Sequence, residues 1–239
     1  MQLTIIGCSP AWPNAGGAQS GYLVEGDGRR LLLDCGPGVL ARMRSIEGWP
    51  HVDAVAITHF HLDHWGDLVP WIFGASFGPG RTVPTPELWL PPGGDARLRE
   101  YGERLSFGDR IDTAFDVHEY EADRVFQTAG FEVLPLRLHH YSEITFGLRV
   151  SNHQRTLAYS GDSAPSPALT KLARDADVFL CEATLREPER TERGHLTADE
   201  AVAAFRASGA RRLVIIHRPD ELPLDPSLER AADGDVFSV

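Results

Sequence analysis

The segment Thr58–Asp67 reads THFHLDHWGD. Within the six residues His59 to His64 it offers three imidazoles and one carboxylate. It directly follows Ala54–Thr58 (AVAIT), a short apolar run that reads as a buried strand. This constrains the fold more than any other feature. The strand must deliver its donors to one place, and other strand ends must complete the shell around them. Side chains alternate along extended backbone, so His59 and His61 point the same way, and Asp63 and His64 face a second point nearby as the chain turns. Imidazole and carboxylate together suit zinc, and less selectively manganese or iron.

Four donors half-coordinate two cations, so partners are expected at the ends of other strands. His140 ends LPLRLHH, Asp162 ends TLAYSGD, and His217 ends RLVIIH. Each is the first strong donor after a strand-like run. At the first of these places His139 and His140 stand side by side, and either one is a candidate.

Composition allows such a site to be built. The chain has 239 residues, 42% of them apolar, with 11 Phe and 5 Trp. That is enough for a sizeable core in one domain spanning residues 1–239. Lys and Arg total 23 against 34 Asp and Glu, a formal charge of -11, which argues against a general nucleic-acid binder. Cys8, Cys35 and Cys181 are too few and too scattered for a disulfide framework and read as thiols of a reducing compartment. The start MQLTIIGCSP lacks a basic segment followed by a long apolar one, and no run approaches ~18 apolar residues. The expectation is a soluble cytoplasmic protein with no membrane partner.

Along the chain, Gln2–Ile6 reads as a strand, and Tyr22–Glu25 with Arg30–Asp34 as a hairpin around Gly26-Asp27-Gly28. Thr145–Val150 and Thr156–Tyr159 form a second hairpin. Helices are predicted over Gly38–Ile46, Asp95–Leu105 and Pro167–Arg174, and strands at Leu88–Leu90, Phe131–Leu138, Val178–Cys181 and Arg212–His217. The clearest helix follows Thr197: Glu200 stands three residues on, AVAAFRAS continues, and Gly209 closes it. Residues 74–86 (GASFGPGRTVPTP) read as a Gly/Pro-rich loop. Hairpins early and alternating helix and strand later suit two sheets covered by helices better than one parallel sheet.

HFHLDH has the form H-x-H-x-D-H. With the later His140, the SGD aspartate and His217, it resembles the metallo-β-lactamase fold superfamily of hydrolases, in order and over nearly the whole chain. The resemblance implies an α/β (α+β) fold, a four-layer αββα sandwich of two mixed β-sheets flanked by helices. It also implies a dinuclear site at one edge of the sheets. His59, His61 and His140 would hold one divalent cation, and Asp63, His64 and His217 the other. Asp162 would bridge them, and Asp63 would also serve in catalysis. The family pattern, which puts the ligand shortly before the GLRV strand at 147–150, favours His140 over His139. Asp34 resembles a position that supports the metal loop through hydrogen bonds, and Ser20 a position near the site.

Two further segments resemble one branch, the tRNA 3′-end nucleases (RNase Z) and related small phosphodiesterases. GHLTADEA at 194–201 is similar to the segment whose histidine assists the leaving oxygen, which gives that role to His195. LCEAT at 180–184 is similar to the element whose glutamate orients that histidine, which points to Glu182. The long Gly/Pro-rich arm of bacterial RNase Z has no counterpart between Asp162 and His217. The resemblance therefore implies a zinc-dependent phosphodiesterase for a small, cyclic nucleotide-like substrate, with tRNA processing and a glyoxalase II-type thioesterase or lactonase as alternatives. Dimeric relatives imply a homodimer. Trp71, Phe73 and Phe77 either line a pocket for a base or pack in the core, with packing the weightier alternative. His51, His118 and His153 read as solvent-facing.

Overall fold

The computed structural model describes all 239 residues. The first strands are β1 (Gln2–Gly7), β2 (Gly21–Gly26), β3 (Arg29–Leu33), β4 (Ala54–Ala56), β5 (Glu87–Leu90) and β6 (Asp116–Glu119). They are followed by β7 (Phe126–Thr128), β8 (Phe131–His140), β9 (Glu143–Ser151), β10 (Thr156–Tyr159), β11 (Val178–Glu182), β12 (Leu213–Ile216) and β13 (Val236–Ser238). One sheet has the order β13-β1-β2-β3-β4-β5-β6 and the other β12-β11-β10-β9-β8-β7. Both are mixed. β3 to β6 are mutually parallel, as are β10 to β12, while the hairpins are antiparallel.

Every second residue of a strand faces the same layer, and the buried residues sort accordingly. Leu31, Leu33, Ala54 and Ala56 of the first sheet meet Leu157, Tyr159, Val178, Leu180, Val214 and Ile216 of the second. This is the core between the sheets. The intervening residues Leu32, Val55 and Leu88 face outward and are covered by α1 (Val39–Glu47), α3 (Leu68–Phe77), α4 (Gly94–Arg104) and α5 (Ile111–Ala114); α2 (Leu62–Trp65) precedes α3. On the far side Ala158, Phe179, Cys181 and Ile215 are covered by α6 (Pro167–Leu172) and α7 (Ala198–Ser208). The four-layer sandwich is thus present. Strands buried on both faces need apolar residues at every position, which is why their runs show so little alternation.

The capping box of α7 is complete. Glu200 N donates to Thr197 Oγ1 at 3.3 Å, Thr197 N donates to Glu200 Oε2 at 2.9 Å, and Gly209 takes the left-handed conformation at φ 74°. One reading of the sequence needs correction. The helix α3 extends to Phe77, so the Gly/Pro stretch from 74 does not begin as a loop. Gly74 belongs inside the helix because the Trp49 ring packs where a Cβ would stand, 1.9 Å away. No helix is long and apolar enough to cross a membrane.

Candidate metal centre

The donors collect where the carboxyl ends of β3, β4, β8, β10, β11 and β12 meet along one edge of the sandwich. After β4 the chain stays extended to His61, which stands just before α2, so Asp63 and His64 enter a helical turn. Two overlapping groups result. His59, His61, His140 and Asp162 form one, and Asp63, His64, Asp162 and His217 the other, with ligand atoms all within 4.8 Å of one another. Asp162 is common to both. All seven residues named from the sequence as ligands are therefore together. His140 is fully buried and in the first group, whereas His139 is exposed.

The second nitrogen of most of these imidazoles is committed, and this fixes the tautomer. His140 Nδ1 donates to Gly194 O at 2.7 Å. His64 Nδ1 donates to Asp34 Oδ2 at 2.7 Å. The Thr58 hydroxyl donates to Asp34 at 2.9 Å and so accepts from His59 Nδ1 at 3.1 Å. The Thr184 hydroxyl donates to Glu182 Oε2 at 2.8 Å and so accepts from His217 Nδ1 at 2.9 Å. Each Nε2 is then left to face the cluster. Burial, followed by the neighbouring His64, holds His59 below the ordinary histidine pKa, and burial foremost does the same for His61 and His140. Neutral imidazole is the ligating form. Burial would also lower His64, but Asp162, Asp63 and Asp34 outweigh it and raise it. A cation there would replace that proton.

His59 Nε2, His64 Nε2 and Asp162 Oδ1 are buried without any hydrogen-bond partner. Leaving such groups unmatched costs roughly 1–3 kcal/mol each. They all belong to the cluster, where divalent cations would take them as donors, and the N/O donor set is one that zinc accepts. The residues fit the metal that the fold family implies.

Two left-handed residues stand at the same edge. Asp34 at φ 58° and His217 at φ 52° are left-handed, uncommon for residues other than glycine. Gly161, at φ 55°, supplies the same geometry without a side chain before Asp162. Asp34 earns its conformation by accepting four hydrogen bonds, from Thr58 N, Thr58 Oγ1, His64 Nδ1 and Tyr159 Oη.

Beside the donors lies a different pair. His195 Nδ1 is 2.8 Å from Glu182 Oε1 and 4.0 Å from Asp162 Oδ2. Glu182 is fully buried and also accepts from Ser163 N, Thr184 N and Leu196 N. Burial opposes charge on His195, but Glu182 prevails and lifts its pKa to about 9. Glu182, His195 and His217 could themselves form a third donor group. In the first two, Nδ1 and Oε1 already face one another, and both carboxylate oxygens of Glu182 take backbone amides.

Other expectations resolve more simply. Trp71 packs in the outer core, with Trp49 and Phe115 as ring neighbours, and Phe73 and Phe77 stack on each other at the surface. None of the three lines the metal edge. His51 and His153 are exposed, but His118 is half-buried, stacked on Trp89. Ser20 is buried, its backbone N donating to Asp63 O at 3.2 Å. Sequence reasoning gave no role to Thr58, Tyr159 or Thr184. The alternation Leu136, Leu138, His140 on β8, opposite exposed Arg137 and His139, was a signal for choosing His140.

The family model described as a beta-lactamase superfamily domain matches residues 29–218, which contain every donor above. An uncharacterized protein of Mycobacterium leprae is 31% identical, with all of this chain and 86% of that protein covered. A ribonuclease Z of Myxococcus xanthus is 29% identical over 95% of this chain and 90% of its own. Among solved structures, the metallo-beta-lactamase fold protein YhfI of Bacillus subtilis superposes with a TM-score of 0.85 at 24% identity, over 99% of both chains. With its donors at the strand ends of a matched domain, the chain belongs to the β-lactamase superfamily, among the hydrolases of metallo-β-lactamase fold.

Proposed function

We propose that the protein is a dinuclear metal-dependent phosphodiesterase acting on a small phosphodiester, with a cyclic nucleotide as the type of substrate. The observation that carries this reading is the His195–Glu182 pair set directly beside the two donor groups that share Asp162. His59, His61 and His140 would hold one cation, Asp63, His64 and His217 the other, and Asp162 both. Zinc is the first candidate. Two such cations supply Lewis acidity to a phosphoryl group and acidify water.

The chain's own residues do the rest. Alkoxide is a poor leaving group, and a general acid helps it depart. His195 presents Nε2 to the leaving oxygen while Nδ1–H is held by Glu182 Oε1, so the ring keeps one orientation. Asp63, 3.1 Å from His217 Nε2, places a carboxylate oxygen within the second donor group, where it helps orient the attacking water. Support for a small substrate comes from the stretch between Asp162 and His217. It is spent on α6, β11, α7 and the loop at residues 183–197, with no projecting arm. The charge of -11 points the same way.

The Myxococcus ribonuclease Z relative favours a second reading, tRNA 3′ processing. Incubating the zinc- or manganese-loaded protein with a 3′,5′-cyclic nucleotide and, separately, with a precursor tRNA decides between them. Turnover of the cyclic nucleotide is expected; cleavage of the tRNA alone would overturn the first reading.

A further inference from the structure

His195 does not sit on a strand. It ends a charged surface segment, REPERTERG at 186–194, whose residues 186–188 and 190–192 are exposed. A proton donor needs a fixed position, and this segment has no sheet ladder to give it one. Glu182 holds the His195 ring and the Leu196 amide from one side, and the contacts that fix the other side converge on Gly194. Gly194 O accepts from His140 Nδ1 at 2.7 Å, and Gly194 N donates to Glu189 Oε2 at 2.8 Å. Its α-carbon lies flat on the Tyr141 ring, where a Cβ would stand 2.1 Å from ring carbons. The Tyr141 hydroxyl donates to Glu189 Oε1, and Tyr141 N donates to Arg193 O at 3.3 Å. His195 N also reaches Glu189 Oε2, at 3.4 Å.

Tyr141 follows His140 and is held at φ 48°. A bulky residue adopts that conformation only when its surroundings insist on it. The result turns its ring against both His140 and His195, with centroids 4.9 Å and 5.7 Å away, while those two rings stand 4.7 Å from each other. We infer that Tyr141 and Glu189 are positioning residues: together they clamp Gly194, and through it they set His195 at a fixed place beside His140. Neither touches the reacting atoms. The inference rests on His195 being the proton donor, and the two ideas fail in different ways.

The test uses the metal-loaded full chain as wild type, Tyr141→Phe, Glu189→Ala, the double variant and His195→Ala. Metal content, amide hydrogen exchange and turnover are measured, the last on bis-p-nitrophenyl phosphate and on a cyclic nucleotide. In Glu189→Ala the amides of Gly194 and His195 should exchange about tenfold faster, with metal content unchanged. In both single variants kcat on the cyclic nucleotide should fall about tenfold with KM within about twofold, and the double variant should be no worse than Glu189→Ala. The deficit should shrink on bis-p-nitrophenyl phosphate, whose leaving group needs little protonation, as it should for His195→Ala. Unchanged exchange, metal lost from Tyr141→Phe, or equal deficits on both substrates would overturn the clamp. If His195→Ala turns over normally, the proton-donor reading fails instead, and exchange alone decides the clamp.

Discussion

The donor cluster and the segment that bears His195 are built in opposite ways. The donors follow strand ends and all but the half-buried His61 are buried, and the Nδ1 of His59, His64, His140 and His217 each donates to an inner acceptor. His195 stands at the end of an exposed loop and depends on Glu182 from below and on Glu189 from beside it. The first arrangement is set mainly by the strand ends, with Gly194 and Thr184 of the 183–197 loop bracing His140 and His217. The second is added to the sheets by a few side chains. On the proposed roles, metal binding and proton transfer are separable, and substitutions should divide them.

The sharpest division compares His61→Ala with His195→Ala. His61→Ala removes a donor from the first group and should lose both metal, read by elemental analysis, and all measurable turnover. His195→Ala should keep its metal while kcat falls by ~10²–10⁴, the range for a lost general acid. Equal metal loss in the two would erase the distinction. A milder test moves one layer inward. Asp34→Asn keeps the shape but can no longer accept from Thr58, His64 and Tyr159 together, so metal affinity by competitive chelation should weaken ~10–100-fold. An affinity equal to wild type would mean the tautomers need no such support. The smallest effect concerns the scaffold alone. Thr197→Ala breaks the capping box of α7 and should cost about 1 kcal/mol, seen as a lower Tm of roughly 2–4 °C, with metal content unaltered.

The same contrast explains what could be read in the sequence. Residues at strand ends announce themselves, because a buried strand writes an apolar run and the first strong donor after it is conspicuous. His59, Asp162 and His217 were legible in that way, and the capping box wrote the start of α7 just as plainly. Contacts that join distant segments through side chains leave no such pattern. Tyr141 and Glu189 are 48 positions apart and show no periodicity. Thr184 and Thr58 look like ordinary polar residues until the hydroxyl of each is seen to pass a carboxylate's influence to an imidazole. Gly74 misled for a related reason, since the neighbour that demands glycine there, Trp49, comes from outside the helix. The three-residue strands β7 and β13 are too short to write a period at all.

Each donor group draws on both sheets. His59, His61, Asp63 and His64 come from the end of β4, while His140, Asp162 and His217 follow β8, β10 and β12 across the sandwich. An ion seated among them is therefore a rivet through the whole assembly as well as a reagent. Its occupancy adds to thermal resistance by mass action, about 2.7 kcal/mol at a free concentration of a hundred times Kd. Cells starved of the ion would hold a protein that is looser at this rim before they hold one that is merely idle.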